Sequence, residues 1–471
     1  MVASDAGTNQ TPPEWTALQA HPVPAWFDDA KFGIYCHWGP YSVPAFDTEW
    51  YSRNMYIPGH KANLHHLETY GPVSQFGYKD FIPMFTAEHF DPDAWTDLFR
   101  RAGARYIGPV SEHADGFSMW DSRVNPFNAA RMGPQRDVVG EMARAVREQG
   151  LHFLATFHHM WLWAWYPTTD PNADASDPAY ADLYGPPTRP EDFQNPRPDE
   201  AFCDRFVAKI KEVVDAYQPD VMYFDSRLAT ISDRHRRAFI AYYYEQAEKW
   251  GREVTVTYKN EDLPPGVGIL DVERGRMRDA KPFKWMTDDS ICWRSWAHLH
   301  EPSYKSAKRI IDGLVDIVSK NGNLLLNVPP TADGRIPEPV QERLLEIGDW
   351  LAINGEAIYG TRPWRVHGEG PTEVHEGHFS EKENAEMTAA DVRFTAKPDA
   401  LYAIVMGWPG EQIRISSLTP ERLPAAQIAG VELLGVEGSL PWQQTGDGFT
   451  VDLPRQAPPS PHAVTLKIAF K

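Results

Sequence analysis

The chain has little of the chemistry that disulfide-built, zinc-built or membrane-spanning proteins require. It has three cysteines in 471 residues, an odd number that excludes a fully paired disulfide framework, and none of them has the CxxC spacing of structural zinc. No apolar run reaches the ~18 residues that cross a bilayer. The opening MVASDAGTNQTPPEW lacks the basic and apolar regions of a secretory signal. We therefore expect a soluble protein, and its compartment stays open.

Positive charge is also scarce. Lys and Arg total 46 against 65 Asp and Glu, which gives a net charge of −19. Because nucleic acids and anionic membranes are bound by basic surfaces, we expect neither as a partner. Aromatic residues are abundant, with 17 Trp, 19 Tyr and 22 Phe. Their rings can stack on the apolar faces of sugars, although a large aromatic core would have the same composition.

Short apolar runs alternate with helical patterns over residues 1–362, which is typical of a parallel sheet built from βα units. The clearest helices are predicted at Asp91–Ala104, Asp137–Gln149, Ala201–Tyr217 and Ser306–Ser319. Seven strands are predicted at Phe32–His37, Tyr106–Glu112, Phe153–His158, Val221–Asp225, Val254–Lys259, Gly268–Glu273 and Leu324–Val328, and a weaker one at Phe283–Thr287. This number fits an α/β fold of the (β/α)₈ TIM-like barrel class.

The pattern changes after Trp364. Segments such as DVRFTA, LYAIVMGW, QIRISSL and AVTLKIAF are short or alternate in polarity, and no helical pattern lies between them. Such a series predicts an antiparallel β-sandwich. We therefore expect a barrel over residues 1–362 followed by a C-terminal β-sandwich over residues 363–471.

Titratable residues stand at the carboxyl ends of almost all the predicted strands. In a (β/α)₈ barrel these ends converge on one mouth, where such enzymes place their active sites. The sequence therefore predicts one polar cluster rather than polar residues scattered over loops. Its expected members are His37, Glu112, His113, His158, His159, Asp225, Lys259 and Glu273.

Two of these residues, Asp225 and Glu273, fit the carboxyl pair that glycoside hydrolysis requires. Asp225 ends a rigid apolar run and suits the nucleophile, while Glu273 suits the acid that protonates the leaving oxygen. Asp225 could equally cap the following helix, and Glu273 could form a surface ion pair. Arg274 and Arg276 would lower the pKa of Glu273 unless they point away, whereas burial would raise it.

Three motifs are specific enough to suggest a family. One is the opening, with Lys31-Phe32-Gly33-Ile34 and His37-Trp38-Gly39; the others are Phe224-Asp225-Ser226 and Asn321-Gly322-Asn323-Leu324-Leu325-Leu326-Asn327. Together they resemble glycoside hydrolase family 29, the retaining α-L-fucosidases. The resemblance spans residues 14–365, and the C-terminal segment fits the β-sandwich that such enzymes usually carry.

The resemblance implies a retaining exo-glycosidase that removes terminal α-L-fucose from a fucosylated oligosaccharide or glycoconjugate, without a metal or other cofactor. Asp225 would be the nucleophile, and Glu273, at a position that varies within the family, the acid/base. The resemblance leaves the oligomeric state open. It implies substrate contacts by His37, Glu49, Trp50, His113, His158, Tyr223 and Lys259.

Two departures from the family pattern bear on specificity. Ala114 stands where a second sugar-binding histidine is expected, and a tryptophan-rich run follows His159. Trp161, Trp163 and Trp165 of that run could flank the sugar or simply pack. These departures keep open a related substrate such as an α-L-galactoside, and also a catalytically silent sugar-binding protein.

A metal-dependent barrel hydrolase is a further alternative. Its ligands would be His37, His113, His158, His159 and Asp225, although the first strand lacks a His-x-His pair.

Overall fold

The computed structural model describes residues 13–168, 170–455 and 460–471. Most of the opening segment interpreted above as lacking a secretory signal lies outside these residues. Among the helices of the described ranges, none combines the length and apolarity that a bilayer crossing needs.

Eight parallel strands form a closed barrel in sequence order, with the last strand paired to the first. The strands read as apolar runs because both of their faces are buried, one by covering helices and one by the barrel interior. This architecture confirms the predicted TIM-like barrel. The strands are β1 (Phe32–Cys36), β2 (Tyr106–Glu112), β3 (His152–Phe157), β4 (Val221–Phe224), β5 (Thr255–Lys259), β6 (Ile269–Asp271), β7 (Trp285–Ser290) and β8 (Gly322–Val328).

Helices cover the outside of the barrel, and the four clearest ones match the sequence prediction to within a few residues. Each of these four helices follows a capping residue whose side chain accepts a hydrogen bond from a free backbone N–H of the first turn. The capping residues are Asp91, Asp137, Asp199 and Ser306. The helices are α1 (Trp15–Leu18), α2 (Ala25–Ala30), α3 (Tyr51–Asn54), α4 (Lys61–Thr69), α5 (Pro92–Arg101), α6 (Val138–Glu148), α7 (Ala181–Tyr184), α8 (Glu200–Tyr217), α9 (Asp233–Trp250), α10 (Ala307–Ser319) and α11 (Glu338–Asn354).

The barrel departs from an ideal (β/α)₈ unit on one side. In the described part of the chain, no α-helix separates β5 from β6 or β6 from β7. The barrel interior is nonetheless filled, because alternate strand residues form their own buried cluster. Its members include Tyr35, Tyr106, Leu154, Val221, Tyr223, Met286 and Leu325. A polar pocket lies above this cluster, at the carboxyl ends of the strands.

Two antiparallel sheets follow the barrel and confirm the predicted β-sandwich. Their strands are β9 (Arg362–Glu369), β10 (Val392–Lys397), β11 (Ala400–Val405), β12 (Gln412–Ile415), β13 (Ile428–Leu433), β14 (Trp442–Thr445), β15 (Gly448–Asp452) and β16 (Val464–Phe470). One sheet has the strand order β13-β16-β11-β10-β9 and the other β12-β15-β14, with an apolar core of their own. We propose the domain boundary at residues 362 and 363, where β9 begins.

A buried carboxylate, Asp316 of α10, joins the two parts. Its oxygens contact Nε of Arg393 on β10 at 2.7 Å, Nζ of Lys320 at 2.8 Å and Nη1 of Arg276 at 3.9 Å. Burial alone would raise the pKa of Asp316, but Lys320, Arg393 and Arg276 lower it well below its usual value. Asp316 is therefore a fixed negative charge between the barrel and the β-sandwich.

We expect Asp316→Asn to lower the free energy of unfolding at neutral pH by about 3–5 kcal/mol, because it leaves three buried cations without their counter-charge. The pKa of this carboxyl is lower in the folded state, so its stabilisation is present above the unfolded-state pKa of ~3.9. That stabilisation is lost as the pH falls further, and the two proteins should then become similar. Urea unfolding across this pH range measures the difference.

The matched control is Asp349→Asn, which removes an exposed carboxylate from α11. It should leave the unfolding midpoint almost unchanged. Equal stability of the two variants at neutral pH would show that Asp316 does not hold the two parts together.

Candidate active site

A cavity of about 400 Å³ opens at the carboxyl end of the barrel. This volume lies in the lower part of the ~300–1,000 Å³ range of ligand pockets and suits a single sugar ring better than a long chain. The predicted catalytic pair and all the predicted substrate contacts except Tyr223 line it. The lining residues are His37, Glu49, Trp50, His113, His158, Trp161, Asp225, Ser226, Lys259, Asn260, Glu273, Asp288, Trp296, His378 and Phe379.

Lys259, the last residue of β5, lies at the centre of the charged groups. Its Nζ is 3.0 Å from Oδ1 of Asp225, 2.8 Å from Oε2 of Glu273 and 3.2 Å from Oδ2 of Asp288. Oδ2 of Asp271 lies further off, at 3.8 Å. Burial alone would lower the pKa of Lys259, but these four carboxyl groups raise it well above its usual value. The ammonium is therefore charged and holds the carboxyl groups around it.

Two tyrosines of the barrel interior support this cluster from below. The hydroxyl of Tyr35 donates to Oδ2 of Asp288 at 2.9 Å, and that of Tyr223 donates to the same oxygen at 2.9 Å. Tyr223 also lies 3.1 Å from Oδ2 of Asp271. Burial and the adjacent Asp288 raise the pKa of Asp271 well above its usual value, which favours its protonated form. Tyr223, predicted as a substrate contact, thus lies beneath the pocket wall.

Three imidazoles form another wall of the pocket. The ring centroids of His37, His113 and His158 lie 4.8–5.4 Å apart. Nδ1 of His37 is fixed 2.9 Å from Oδ1 of Asn327, whereas Nδ1 of His113 and of His158 have no partner among the described residues. Burial lowers the pKa of all three rings, that of His113 to about 4. Neutral imidazoles can each donate or accept one hydrogen bond, as sugar hydroxyls require.

Nitrogen atoms of the same three rings lie within 4.8 Å of one another, a spacing that a metal ion could also use. The rings offer imidazole nitrogen alone, which suits zinc.

Glu49 and the neighbouring tryptophans complete the wall. Oε2 of the buried Glu49 accepts the N–H of Trp296 at 3.0 Å and the hydroxyl of Ser295 at 3.2 Å. Burial raises the pKa of Glu49. Trp50 packs on the buried Trp165, with ring centroids 4.8 Å apart. The site therefore combines a carboxyl group with flat apolar rings.

The three tryptophans of the run after His159 have different surroundings. Trp161 lines the pocket, and Trp165 supports Trp50 from behind. Trp163 instead packs edge-on against Phe202 of α8, with ring centroids 5.4 Å apart. The sequence left open whether these tryptophans flank the pocket or pack in the core. The structure shows both, because Trp161 lines the pocket and Trp163 packs against a helix.

The arginines next to Glu273 point away from its carboxyl group. Arg274 lies over the ring of Trp296, 4.4 Å from its centroid, and Arg276 approaches Asp316. Burial raises the pKa of Glu273 to about 7, against the opposing effect of Lys259. A substantial fraction of Glu273 is therefore protonated at neutral pH and can act as an acid.

Two predicted members of the cluster lie elsewhere. Oε1 of Glu112 is 2.5 Å from Nζ of the buried Lys209, and His159 stacks on Phe206, with ring centroids 4.3 Å apart. Successive residues of a strand point to opposite faces, so only one member of each strand-end pair can enter the pocket. The prediction of a single cluster is wrong for Glu112 and His159.

Sequence reasoning missed several lining residues. Asp288 was missed because β7 was expected to end at Thr287, before the polar run Asp-Asp-Ser, whereas the strand continues to Ser290. His378 and Phe379 come from the segment before β10, on the C-terminal side of the predicted boundary. No motif in the sequence connects that segment with the barrel mouth.

Known proteins resemble the chain over nearly its whole length. The family model "Alpha-L-fucosidase" matches residues 1–356, and "Alpha-L-fucosidase C-terminal domain" matches residues 384–469. Tissue alpha-L-fucosidase of Rattus norvegicus is 32% identical over 477 residues, covering 97% of this chain and 92% of the relative. The Homo sapiens protein of that name is 30% identical, covering 97% and 91%.

A solved structure has the same architecture. Thermotoga maritima alpha-fucosidase in complex with fucose superposes with a TM-score of 0.76 at 31% identity. The superposition covers 98% of this chain and 100% of that one. The chain therefore belongs to the alpha-L-fucosidase family, glycoside hydrolase family 29.

Proposed function

We propose that this chain is a retaining exo-glycosidase that hydrolyses terminal α-L-fucosides of oligosaccharides or glycoconjugates. The observation that carries the proposal is the contact of Asp225 and Glu273 with one ammonium group. Because both oxygens touch Nζ of Lys259, they lie within the sum of the two distances, about 5.8 Å, of each other. Carboxyl groups are ~5–5.5 Å apart in retaining glycosidases and ~6.5–9.5 Å apart in inverting ones.

In the first step, Asp225 attacks the anomeric carbon while Glu273 protonates the leaving oxygen. The product is a glycosyl-enzyme with inverted configuration. Lys259 orients the nucleophile through its contact with Oδ1 of Asp225.

In the second step, Glu273 has lost its proton and takes one from water. That water attacks the same carbon from the side that the leaving group vacated, and the bond between this carbon and Asp225 breaks to release the carboxylate. Two inversions give net retention, and the site returns to its starting protonation state.

The remaining wall suits the binding of one deoxy-sugar. His37, His113, His158 and Glu49 supply neutral or buried groups for hydroxyls. The rings of Trp50 and Trp296 form apolar surface for ring carbons and for a C6 methyl group. The relative from Thermotoga maritima has been solved both with fucose and with a mechanism-based inhibitor. An added hydroxyl, as in an L-galactoside, should be disfavoured only ~10–200-fold by an apolar wall.

We expect Asp225→Ala and Glu273→Ala each to lose roughly 10³-fold or more in kcat on 4-nitrophenyl α-L-fucoside. Azide should rescue both variants with opposite stereochemistry. In Asp225→Ala it replaces the nucleophile and gives the inverted β-azide. In Glu273→Ala it replaces water in the second step and gives the α-azide. The measurement is product configuration by NMR.

The matched control is Asp288→Asn, which removes another carboxylate from Lys259. Its activity should fall without rescue by azide, because Asp288 does not attack the sugar. An α-azide from Asp225→Ala would contradict the assigned roles, and so would an inverted first sugar product from the wild type.

We expect activity to fall as the pH rises through about 7, because Glu273 must carry a proton in the first step. Phenyl α-L-fucoside is the better substrate here, since its leaving group depends on that proton. Lys259→Met removes a charge that lowers the pKa of Glu273, so the basic limb of its kcat/KM profile should move to higher pH. A basic limb at the same pH in Lys259→Met and in the wild type would show that a group other than Glu273 controls this limb.

We expect activity to survive removal of metal ions, because two carboxyl groups suffice for this chemistry. The test compares hydrolysis before and after dialysis against a chelator, and again after zinc is added. If hydrolysis is lost on dialysis and recovers when zinc is added, the three-histidine wall would instead be a metal site.

A further inference from the structure

One exposed aromatic side chain differs in its setting from the other large apolar residues on the surface. Phe379 is 59% exposed, and within the described ranges it is the member of this group that lines the candidate site. An exposed phenyl ring at a polar pocket is surface available to a ligand. The exposed large apolar residues are Val23, Leu64, Leu67, Met84, Phe283 and Phe379.

The backbone of Phe379 is bound to the residue proposed as the acid/base. Its N–H donates to the carbonyl of Glu273 at 2.7 Å, and the N–H of Glu273 lies 3.0 Å from Nδ1 of His378. Two residues further on, the N–H of Glu381 donates to the carbonyl of Arg274 at 3.0 Å. Residues 377–381, the clasp segment, therefore hold a fixed position beside Glu273.

Two features show that the clasp segment is closely fitted. A Cβ atom on Gly275 would lie 2.0 Å from the carbonyl oxygen of Gly377. The two backbones therefore approach more closely than a residue other than glycine at position 275 would permit. Phe379 has a φ of 58°, a conformation that bulky residues rarely adopt. Such backbone persists where its surroundings fix it, and it often accompanies a functional site.

We propose that Phe379 forms a leaving-group subsite, in which its ring stacks on the sugar to which the terminal fucose is attached. This inference rests on the proposed function. The leaving group departs beside the acid/base, and the phenyl ring is bound through its own backbone to that residue. A pyranose with a face of C–H groups is the matching occupant, because aromatic rings stack on such faces.

The test compares two kinds of substrate. α-L-fucosyl fluoride has no ring in its leaving group and reports only on the sugar pocket and the chemistry. A panel of fucosyl disaccharides with α-1,2, α-1,3, α-1,4 and α-1,6 linkages supplies the ring. Phe379→Ala should lower kcat/KM about 10-fold on the preferred disaccharide and leave the fluoride nearly unchanged.

Two further variants at Phe379 and a control at Phe283 separate stacking from folding. Phe379→Trp should restore disaccharide activity, whereas Phe379→Leu, which is apolar but not flat, should not. Phe283→Ala removes a ring that is 49% exposed and lines a different cavity. It should leave kcat/KM unchanged on both substrates.

Failure of the inference and failure of the proposed function are distinguishable. No hydrolysis of either substrate by the wild type would overturn the proposed function and the subsite with it. Turnover of the fluoride with no hydrolysis of any disaccharide would overturn the subsite alone. Equal disaccharide activity in the wild type and Phe379→Ala would also overturn it, as would equal losses on both substrates.

Discussion

The site is organised around one buried ammonium, that of Lys259. Four carboxyl groups approach it, and a single positive charge cannot balance four negative ones away from water. Part of the cluster must therefore stay protonated. Asp271 and Glu273 have raised pKa values, while Asp225 keeps its contact with the ammonium at 3.0 Å. One cation thus lies between a carboxyl group with a raised pKa and a second carboxyl group within a few ångströms, as the proposed double displacement requires.

The C-terminal β-sandwich takes part in this arrangement. The loop that carries Glu273 continues to Arg276, which approaches the buried Asp316, and Asp316 also holds Arg393 of β10. On its other side the same loop is bonded to the clasp segment. Glu273, the proposed acid/base, is thus positioned by contacts from both parts of the chain. A barrel without the β-sandwich would lose one wall of the pocket as well as stability.

Most of the fold was predictable from the sequence because the barrel strands are buried on both faces and read as apolar runs. Strand β7 was predicted to begin two residues and to end three residues too early, since it ends in Thr-Asp-Asp-Ser and polar residues are typical of a loop. Pairing with β8 keeps them in the strand, and Asp288 enters the pocket as a result. Glu112 was misplaced because the choice of face depends on a local shift of register between β2 and β3. His378 and Phe379 reach the site through tertiary contacts alone.

The charge of the three-histidine wall also fits the chemistry. Glycoside cleavage passes through a transition state that resembles an oxocarbenium ion, with positive charge developing at the anomeric carbon. Protonated imidazoles at 4.8–5.4 Å spacing would oppose that charge as well as one another. Burial prevents this by lowering the pKa values of His37, His113 and His158, and neutral rings suit the hydroxyl binding proposed for them. Among the described residues that line the pocket, Lys259 then carries the positive charge, and neighbouring carboxyl groups offset it. In the proposed mechanism, such a field would favour ionisation at the anomeric carbon.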